Sequence, residues 1–146
     1  MTRSERDALM AVIQHPAAVG LELTERMLAA RFQNSTLAVV RDGIAASLDE
    51  FAGPGFLDRV AREVPTGFAS LVGQLAVAPL PERPDRIPAY CALVVTGLVD
   101  RDLLREKFEL VGAMQRASAE GDTERFGELS RRSAELESER RRLRKE

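Results

Sequence analysis

Apolar residues recur along this chain at intervals of three and four, the spacing that places side chains on one face of an α-helix. Leu9, Val12 and Ile13 form the first such stripe, and Pro16 predicts that its helix ends near Gln14. No segment shows the sustained alternation of apolar and polar residues that indicates a β-strand. The pattern therefore predicts an all-α fold.

Further short helices are predicted before residue 78. One follows Thr24, and another follows a cap at Asn34 or Ser35, whose side chains accept hydrogen bonds from free amides at a helix start. The Gly-Pro-Gly segment 53–55 breaks the pattern, and Pro65 suits the first turn of a later helix. The helix between these breaks is predicted to bury Phe56, Leu57, Val60 and Val64. Residues 1–78 are therefore predicted to form a compact bundle of short helices.

A proline-rich segment separates this bundle from the rest of the chain. Residues 79–88 contain four prolines among charged side chains, which is typical of a linker. No proline follows residue 88, so one helix is predicted from about Pro88 to Ala119. At 1.5 Å per residue this helix is about 48 Å long, and its second half is expected to project from the bundle. Gly121 suits a left-handed cap at its end, and Asp122 suits the cap of the next helix.

The last helix is mostly polar and carries a narrow apolar stripe. Leu129, Leu136 and Leu143 recur every seven residues, with Phe126 one turn before Leu129. Such a stripe fits a seam between two helices and is too narrow for the core of a bundle. We therefore expect residues 89–146 to form a long helix and a C-terminal helical hairpin, in which the last helix folds back on the second half of the long one.

Composition and charge exclude several classes of function. The 146 residues include 21 basic and 23 acidic side chains, and the net charge of -2 disfavours non-specific binding of nucleic acid by the whole chain. The chain opens on polar residues without a signal-peptide pattern, and no apolar run approaches the ~20 residues of a membrane span. We expect a cytoplasmic protein with no membrane partner.

The residues that most often carry catalysis are isolated in this sequence. His15 is the one histidine, and it lies beside Pro16 with no cysteine or carboxylate at ligand spacing. Cys91 is the one cysteine and lies on an apolar helix face, which is typical of a buried structural thiol. The segment 53–55 lacks the Gly-Lys-Ser/Thr that follows in a phosphate loop. We therefore expect no catalytic residue, no metal and no cofactor in this chain.

A basic cluster ends the chain and comprises Arg140, Arg141, Arg142, Arg144 and Lys145. One interpretation is a solvated helix end, where the helix dipole stabilises positive charge. The other is contact with an acidic protein surface or with phosphates. No aromatic residue is interleaved with these cations, which disfavours binding of single strands by base stacking.

Three groups of motifs occur in an order that resembles a known family. They are the opening segment Arg6–Pro16; Val40-Arg41-Asp42-Gly43-Ile44 before the Gly53-Pro54 break; and the long helix and turn that lead to Phe126-Gly127-Glu128-Leu129 and Leu136-Glu137. Together they resemble the C-terminal, helicase-interacting domain of bacterial replicative DNA primase, over nearly the whole chain. Val40 stands where many relatives have an aromatic residue, and the segment 78–87 is unusually rich in proline.

The resemblance implies a role in protein interaction. The hairpin is expected to dock on the N-terminal domain of the hexameric replicative helicase, and the bundle is expected to modulate helicase activity. The zinc-binding and polymerase domains of primase are expected to lie outside this sequence, so the chain recruits primase to the replication fork without making primers. The partner-binding residues expected on this basis are Phe108, Val111, Met114, Phe126, Leu129, Leu136, Arg140 and Leu143. Packing inside the hairpin is the alternative for each apolar residue, and it is favoured for Leu129 and Leu136.

Other interpretations stay open at this point. The leucine stripe permits a self-associating coiled-coil dimer, whereas the helicase interpretation predicts a monomer when the chain is alone. The basic cluster permits a small nucleic-acid-binding module, which would bind DNA with strong salt dependence, although direct binding of nucleic acid is not expected. A helical enzyme would need a polar cluster that the sequence does not contain.

Overall fold

The structure of this protein is a computed structural model that describes residues 2–145. Over that range the chain forms eight α-helices and two short 3₁₀ turns, with no β-strand. The helices are α1 (Thr2–Gln14), α2 (Pro16–Val19), α3 (Leu21–Ala29), α4 (Ser35–Ala45), α5 (Phe56–Glu63), α6 (Ala69–Val77), α7 (Ile87–Ala119) and α8 (Thr123–Lys145). The 3₁₀ turns are Leu48–Glu50 and Pro84–Arg86. The predicted all-α fold is confirmed.

The chain divides into two compact units, Met1–Leu98 and Val99–Glu146, and α7 contributes to both. The sequence predicts a different partition, with a bundle over 1–78, a linker over 79–88 and a hairpin region over 89–146. That partition stays a prediction, because a compact unit is not by itself an independently folding domain. Within residues 2–145, no helix combines the length and the apolar character needed to cross a lipid bilayer.

The first unit is built around α1. This helix packs against α2, α4 and α6, while α5 packs against α4 and α6. Its largest fully buried side chains include Leu9, Val12, Met27, Val40, Ile44, Val60, Val72, Leu75, Cys91 and Val95. Each such apolar side chain contributes roughly 1.5–3 kcal/mol relative to leaving it in water. The three- and four-residue spacing seen in the sequence therefore corresponds to a real core.

A buried carboxylate joins α1 to the start of α4. Glu5 is only 3% exposed, and its two oxygens accept hydrogen bonds from the backbone amides of Gln33 (2.7 Å) and Asn34 (3.1 Å). Asn34 in turn caps α4, because its side-chain oxygen accepts a bond of 3.0 Å from the amide of Leu37. The predicted cap at Asn34 is confirmed, whereas the role of Glu5 depends on a contact between distant segments.

Gly43 allows α4 and α5 to approach closely. A Cβ atom built on Gly43 would lie 2.6 Å from Cγ1 of Val64, which is closer than real side chains come. Gly43 is buried, and Val64 and Val60 beside it are buried as well. The glycine in the Val40–Ile44 motif is therefore explained by packing between two helices and not by a turn.

Three sequence-based details of the first unit are wrong. The helix placed after Thr24 begins at Leu21, so Thr24 lies inside α3 and is completely buried. The helix placed at Pro65 begins at Ala69, because Gly67 adopts a φ of +102°, outside the helical region. Leu57 lies on α5 but is 39% exposed, unlike its buried neighbours in the stripe.

Candidate functional site

A tight turn joins the two limbs of a helical hairpin in the second unit. Gly121 adopts a φ of +73°, and its amide donates to the carbonyl of Ser118 (3.1 Å) while the amide of Asp122 donates to Ala117 (2.9 Å). This is the Schellman arrangement, which satisfies the last free carbonyls of α7. The side chain of Asp122 then caps α8 by accepting a 3.0 Å bond from the amide of Arg125. Both predicted caps are confirmed.

Ion pairs connect the limbs of the hairpin along its length. Lys107 bonds Glu137 at 2.6 Å, Arg132 bonds Glu106 at 3.1 Å, and Arg140 bonds Asp100 at 2.9 Å. In each pair the two residues lie at similar distances in sequence from Gly121, which is the register of two antiparallel helices. These contacts fix which residue of α8 lies opposite which residue of α7.

The ion pairs between the limbs shift the pKa values of three of their side chains. The hydrogen bond from Lys107 is the main cause that lowers the pKa of the Glu137 carboxyl below its usual value, against the opposing effect of desolvation. Hydrogen bonds to Glu106 and Asp100 raise the pKa values of Arg132 and Arg140 respectively. The pKa shifts of Glu137, Arg132 and Arg140 therefore all favour the charged forms of these side chains.

The inner face of α8 carries the leucine stripe. Leu136 is completely buried and Leu143 is 4% exposed, while Leu129 is half-buried. Leu136 and Leu143 are therefore out of reach of a partner in this conformation, which favours the alternative of internal packing. Arg140, also predicted as a partner contact, has a side chain that is only 16% exposed and is bonded to Asp100. A contact of these residues with a partner stays a prediction.

An open hollow of about 470 Å³ lies near the tip of the hairpin. It is lined by Val111, Met114, Gln115, Ser118, Ala119 and Phe126, so both limbs contribute. Val111 is 42% exposed and Phe126 is 39% exposed, and Met114 is half-buried. The structure thus brings together three of the residues predicted to bind a partner.

Phe126 borders a second hollow as well. This hollow, of about 180 Å³, is lined by Ala117, Ser118, Gly121, Asp122, Thr123 and Phe126. The Phe126 ring therefore stands at the boundary of two concave surfaces at the turn. Phe108, another predicted contact, lies on α7 outside both linings and is 68% exposed. Large exposed aromatic side chains are typical anchors of protein–protein interfaces.

The two residues considered for catalysis, Cys91 and His15, lie in different surroundings. Cys91 is completely buried, as predicted, and this burial raises the pKa of its thiol. His15 precedes α2, and its side chain makes no capping hydrogen bond there. In the part of the chain that the structure describes, no group of three or more His, Cys, Asp or Glu side chains is arranged to hold a metal ion.

The basic cluster at the end of α8 is not uniform. Arg140 is engaged by Asp100, whereas Arg141, Arg142 and Lys145 are exposed. Arg144 has a side chain that is 60% exposed and approaches Glu137 at 3.8 Å. One cation of the cluster therefore stabilises the hairpin, and the others face solvent.

Comparisons with known proteins agree with this architecture. A family model described as DNA primase DnaG DnaB-binding matches residues 5–146. A solved structure, the helicase binding domain of primase from Mycobacterium tuberculosis, is similar to this chain with a TM-score of 0.76 and 25% sequence identity. The match covers 99% of this chain and 92% of that one. No curated protein sequence is significantly similar. Both matches agree with the resemblance found in the sequence.

Proposed function

Because this chain belongs to the DnaB-binding family of DNA primase DnaG, we propose that it docks on the N-terminal domain of the replicative helicase through the tip of its hairpin. The observation that carries this assignment is the hollow lined by Val111, Met114 and Phe126. It is the place where exposed apolar side chains from both limbs meet on one concave surface. An apolar side chain of the helicase would fill it and remove these residues from water.

The proposed role is recruitment by tethering. A domain bound to the helicase raises the local concentration of primase activity at the exposed single strand, without contributing a catalytic group. A moderate affinity is sufficient for this role, because several copies can bind one hexameric ring and each must be released. We further propose that the first unit modulates helicase activity and that the domain acts in the cytoplasm.

Burial of the leucine stripe bears on the alternative of a coiled-coil dimer. Leu136 and Leu143 are already buried within one chain, so the stripe offers little apolar surface to a second copy. We therefore propose that the chain is a monomer when it is alone. Light scattering on the purified protein tests this, because a tight dimer that is lost on deleting residues 122–146 would favour the alternative.

A binding titration tests the docking proposal. The N-terminal domain of the same organism's replicative helicase is titrated with the intact chain, with a version ending at Gly121, and with the Phe126→Ala variant. Loss of a central aromatic anchor is expected to weaken binding by about tenfold or more, and the truncation is expected to abolish it. Leu93→Ala is the matched control, because Leu93 is 70% exposed but lies in the first unit.

Each result of this titration has a clear meaning. Weaker binding by Phe126→Ala with unchanged binding by Leu93→Ala supports docking at the hollow. Equal binding by the intact chain and the truncated version would show that the hairpin is not the docking element. Circular dichroism compares the helical content of each variant with that of the intact chain, so that a loss of affinity can be distinguished from a loss of helix.

A further inference from the structure

One side of the hairpin combines the hollow with a continuous surface along both limbs. On α8 the residues that share this side recur at intervals of three and four, and they are Phe126, Ser130, Ser133, Glu137, Arg141 and Arg144. On α7 the corresponding residues are Lys107, Val111, Met114 and Ser118. Two contacts place these stripes next to each other: the shared lining of the hollow and the 2.6 Å pair of Lys107 with Glu137. We call this surface the Phe126 flank.

The middle of the Phe126 flank carries short side chains. Ser130 and Ser133 are half-buried, and their short side chains project little from α8. Small side chains of this kind allow a second helix to approach within the usual interaxial distance of about 8–10 Å. From Phe126 to Arg144 the flank extends about 27 Å at 1.5 Å per residue, which corresponds to five turns of a helix lying along it.

The far end of the flank has positive charge that the hairpin neutralises only in part. Glu137 is bonded by Lys107 at 2.6 Å, and Asp100 is bonded by Arg140 at 2.9 Å. Arg141 makes no ion pair with any residue between 2 and 145, and Arg144 reaches Glu137 only at 3.8 Å. Two arginines are therefore available at the end of the flank opposite the apolar hollow.

From this distribution we propose that the helicase presents to the Phe126 flank an amphipathic helix that is apolar at one end and acidic at the other. Its apolar side chain occupies the hollow, and its carboxylates pair with Arg141 and Arg144 about 27 Å away. This inference rests on the proposed function and specifies the chemistry of the partner's surface. Opposite charges at one end fix the direction of the partner helix, which the apolar hollow alone does not do.

The test compares two double variants of α8 in the intact chain. Arg141→Gln with Arg144→Gln removes the charge of the flank. Arg131→Gln with Arg142→Gln removes the same charge from the outward face of the same helix, where both side chains are exposed. Each variant is titrated with the N-terminal domain of the same organism's replicative helicase at low and at high salt, and circular dichroism confirms the fold.

The flank variant is expected to bind about tenfold more weakly at low salt and to lose most of the salt dependence of binding. The outward-face variant is expected to stay within about twofold of the unchanged chain, as exposed charges outside an interface usually do. Phe126→Ala is expected to weaken binding at both salt concentrations, because its contribution is apolar.

Four results would overturn the inference. Equal losses in the two double variants would assign the effect to general attraction of charge. An unchanged flank variant beside a weakened Phe126→Ala variant would reject the acidic end of the helix and leave the proposed function standing, whereas no loss in any variant would reject the proposed function itself. A loss of binding to a single-stranded oligonucleotide, with helicase binding unchanged, would assign Arg141 and Arg144 to phosphates.

Discussion

The ammonium of Lys107 donates a 2.6 Å hydrogen bond to Oε2 of Glu137, across the two limbs of the hairpin. The two residues are separated by 30 positions in sequence, and each lies on the Phe126 flank. Together with the Arg132–Glu106 and Arg140–Asp100 pairs, this pair sets the register of α8 on α7, which places Phe126 beside Val111 and Met114. The position of the hollow therefore depends on ion pairs whose residues do not line it.

Replacing Lys107 by Gln is expected to raise the pKa of Glu137 toward its ordinary value, since the Lys107 hydrogen bond is the main cause of the lowered pKa. A carboxyl with a lowered folded pKa stabilises the fold above its unfolded pKa, near 4.3 for glutamate, and this stability is lost as pH falls through the folded pKa. Acid should therefore destabilise the unchanged hairpin more than the variant.

A carboxyl-detected NMR titration of Glu137 in both proteins measures this shift. Arg144→Gln is the control, because Arg144 is the weakest of the cations that lower the Glu137 pKa and should move it less. A Glu137 titration that is identical with and without the Lys107 charge would contradict the role given to this pair.

Leu136 and Phe126 are expected to separate stability from binding. Leu136 is fully buried, so Leu136→Ala should lower the free energy of unfolding of the hairpin by about 2–5 kcal/mol. Phe126 is 39% exposed, so Phe126→Ala should lower stability far less and should lower helicase affinity instead. Urea unfolding and the helicase titration measure the two effects. If Leu136→Ala left stability unchanged and weakened binding, Leu136 would be a partner contact.

Gly43→Ala is expected to destabilise the first unit by about 1–3 kcal/mol, because the new methyl group would overlap Cγ1 of Val64. Gly73→Ala is the matched control within α6, where an added Cβ meets nothing within 4 Å. This control is expected to stabilise the protein by roughly 0.5–1 kcal/mol through helix propensity. Thermal unfolding followed by circular dichroism compares the two. If Gly43→Ala stabilised the protein as Gly73→Ala is expected to, α4 and α5 would not be in close contact at Gly43.

Thr24→Val is expected to stabilise the first unit. Thr24 is completely buried in α3, and its hydroxyl oxygen has no hydrogen-bond partner among the described residues. Valine has nearly the same shape, so the change removes an unsatisfied polar group and should raise the free energy of unfolding by about 1 kcal/mol. Thr24→Ser keeps the hydroxyl and loses a methyl group, so it should destabilise. Chemical denaturation measures both variants. A lower denaturation midpoint for Thr24→Val than for the unchanged chain would contradict the view that the Thr24 hydroxyl is unsatisfied.

A chain ending at Leu98 is expected to fold on its own. Cys91, Val95 and Leu98 are buried, so α7 supplies core residues to the first unit. A chain ending at Ala78 lacks all three and is expected to unfold at lower denaturant concentration. Equal stability of the two fragments would instead support the boundary predicted within the proline-rich segment 79–88.

Features set by neighbouring residues could be predicted from the sequence. The cap at Asn34, the left-handed turn at Gly121 and the extent of α7 depend on local hydrogen bonds and on the conformational limits of glycine and proline. The family resemblance depends on the order of such local elements. These inferences succeeded because the interactions involved lie within a few positions in the chain.

Burial and pairing could not be predicted in this way. Leu57 and Val60 share a helical stripe, yet Leu57 is 39% exposed and Val60 is fully buried. Glu5 reads as one more charge in a first helical turn, but it is buried because the amides of Gln33 and Asn34 approach it from a distant segment. The hollow beside Phe126 likewise exists only once α8 has folded back on α7. The sequence alone determined that the fold is helical and where the long helix and its closing turn lie, since caps and turns are local. The tertiary structure decided which faces remain exposed, since burial depends on residues far away in the chain.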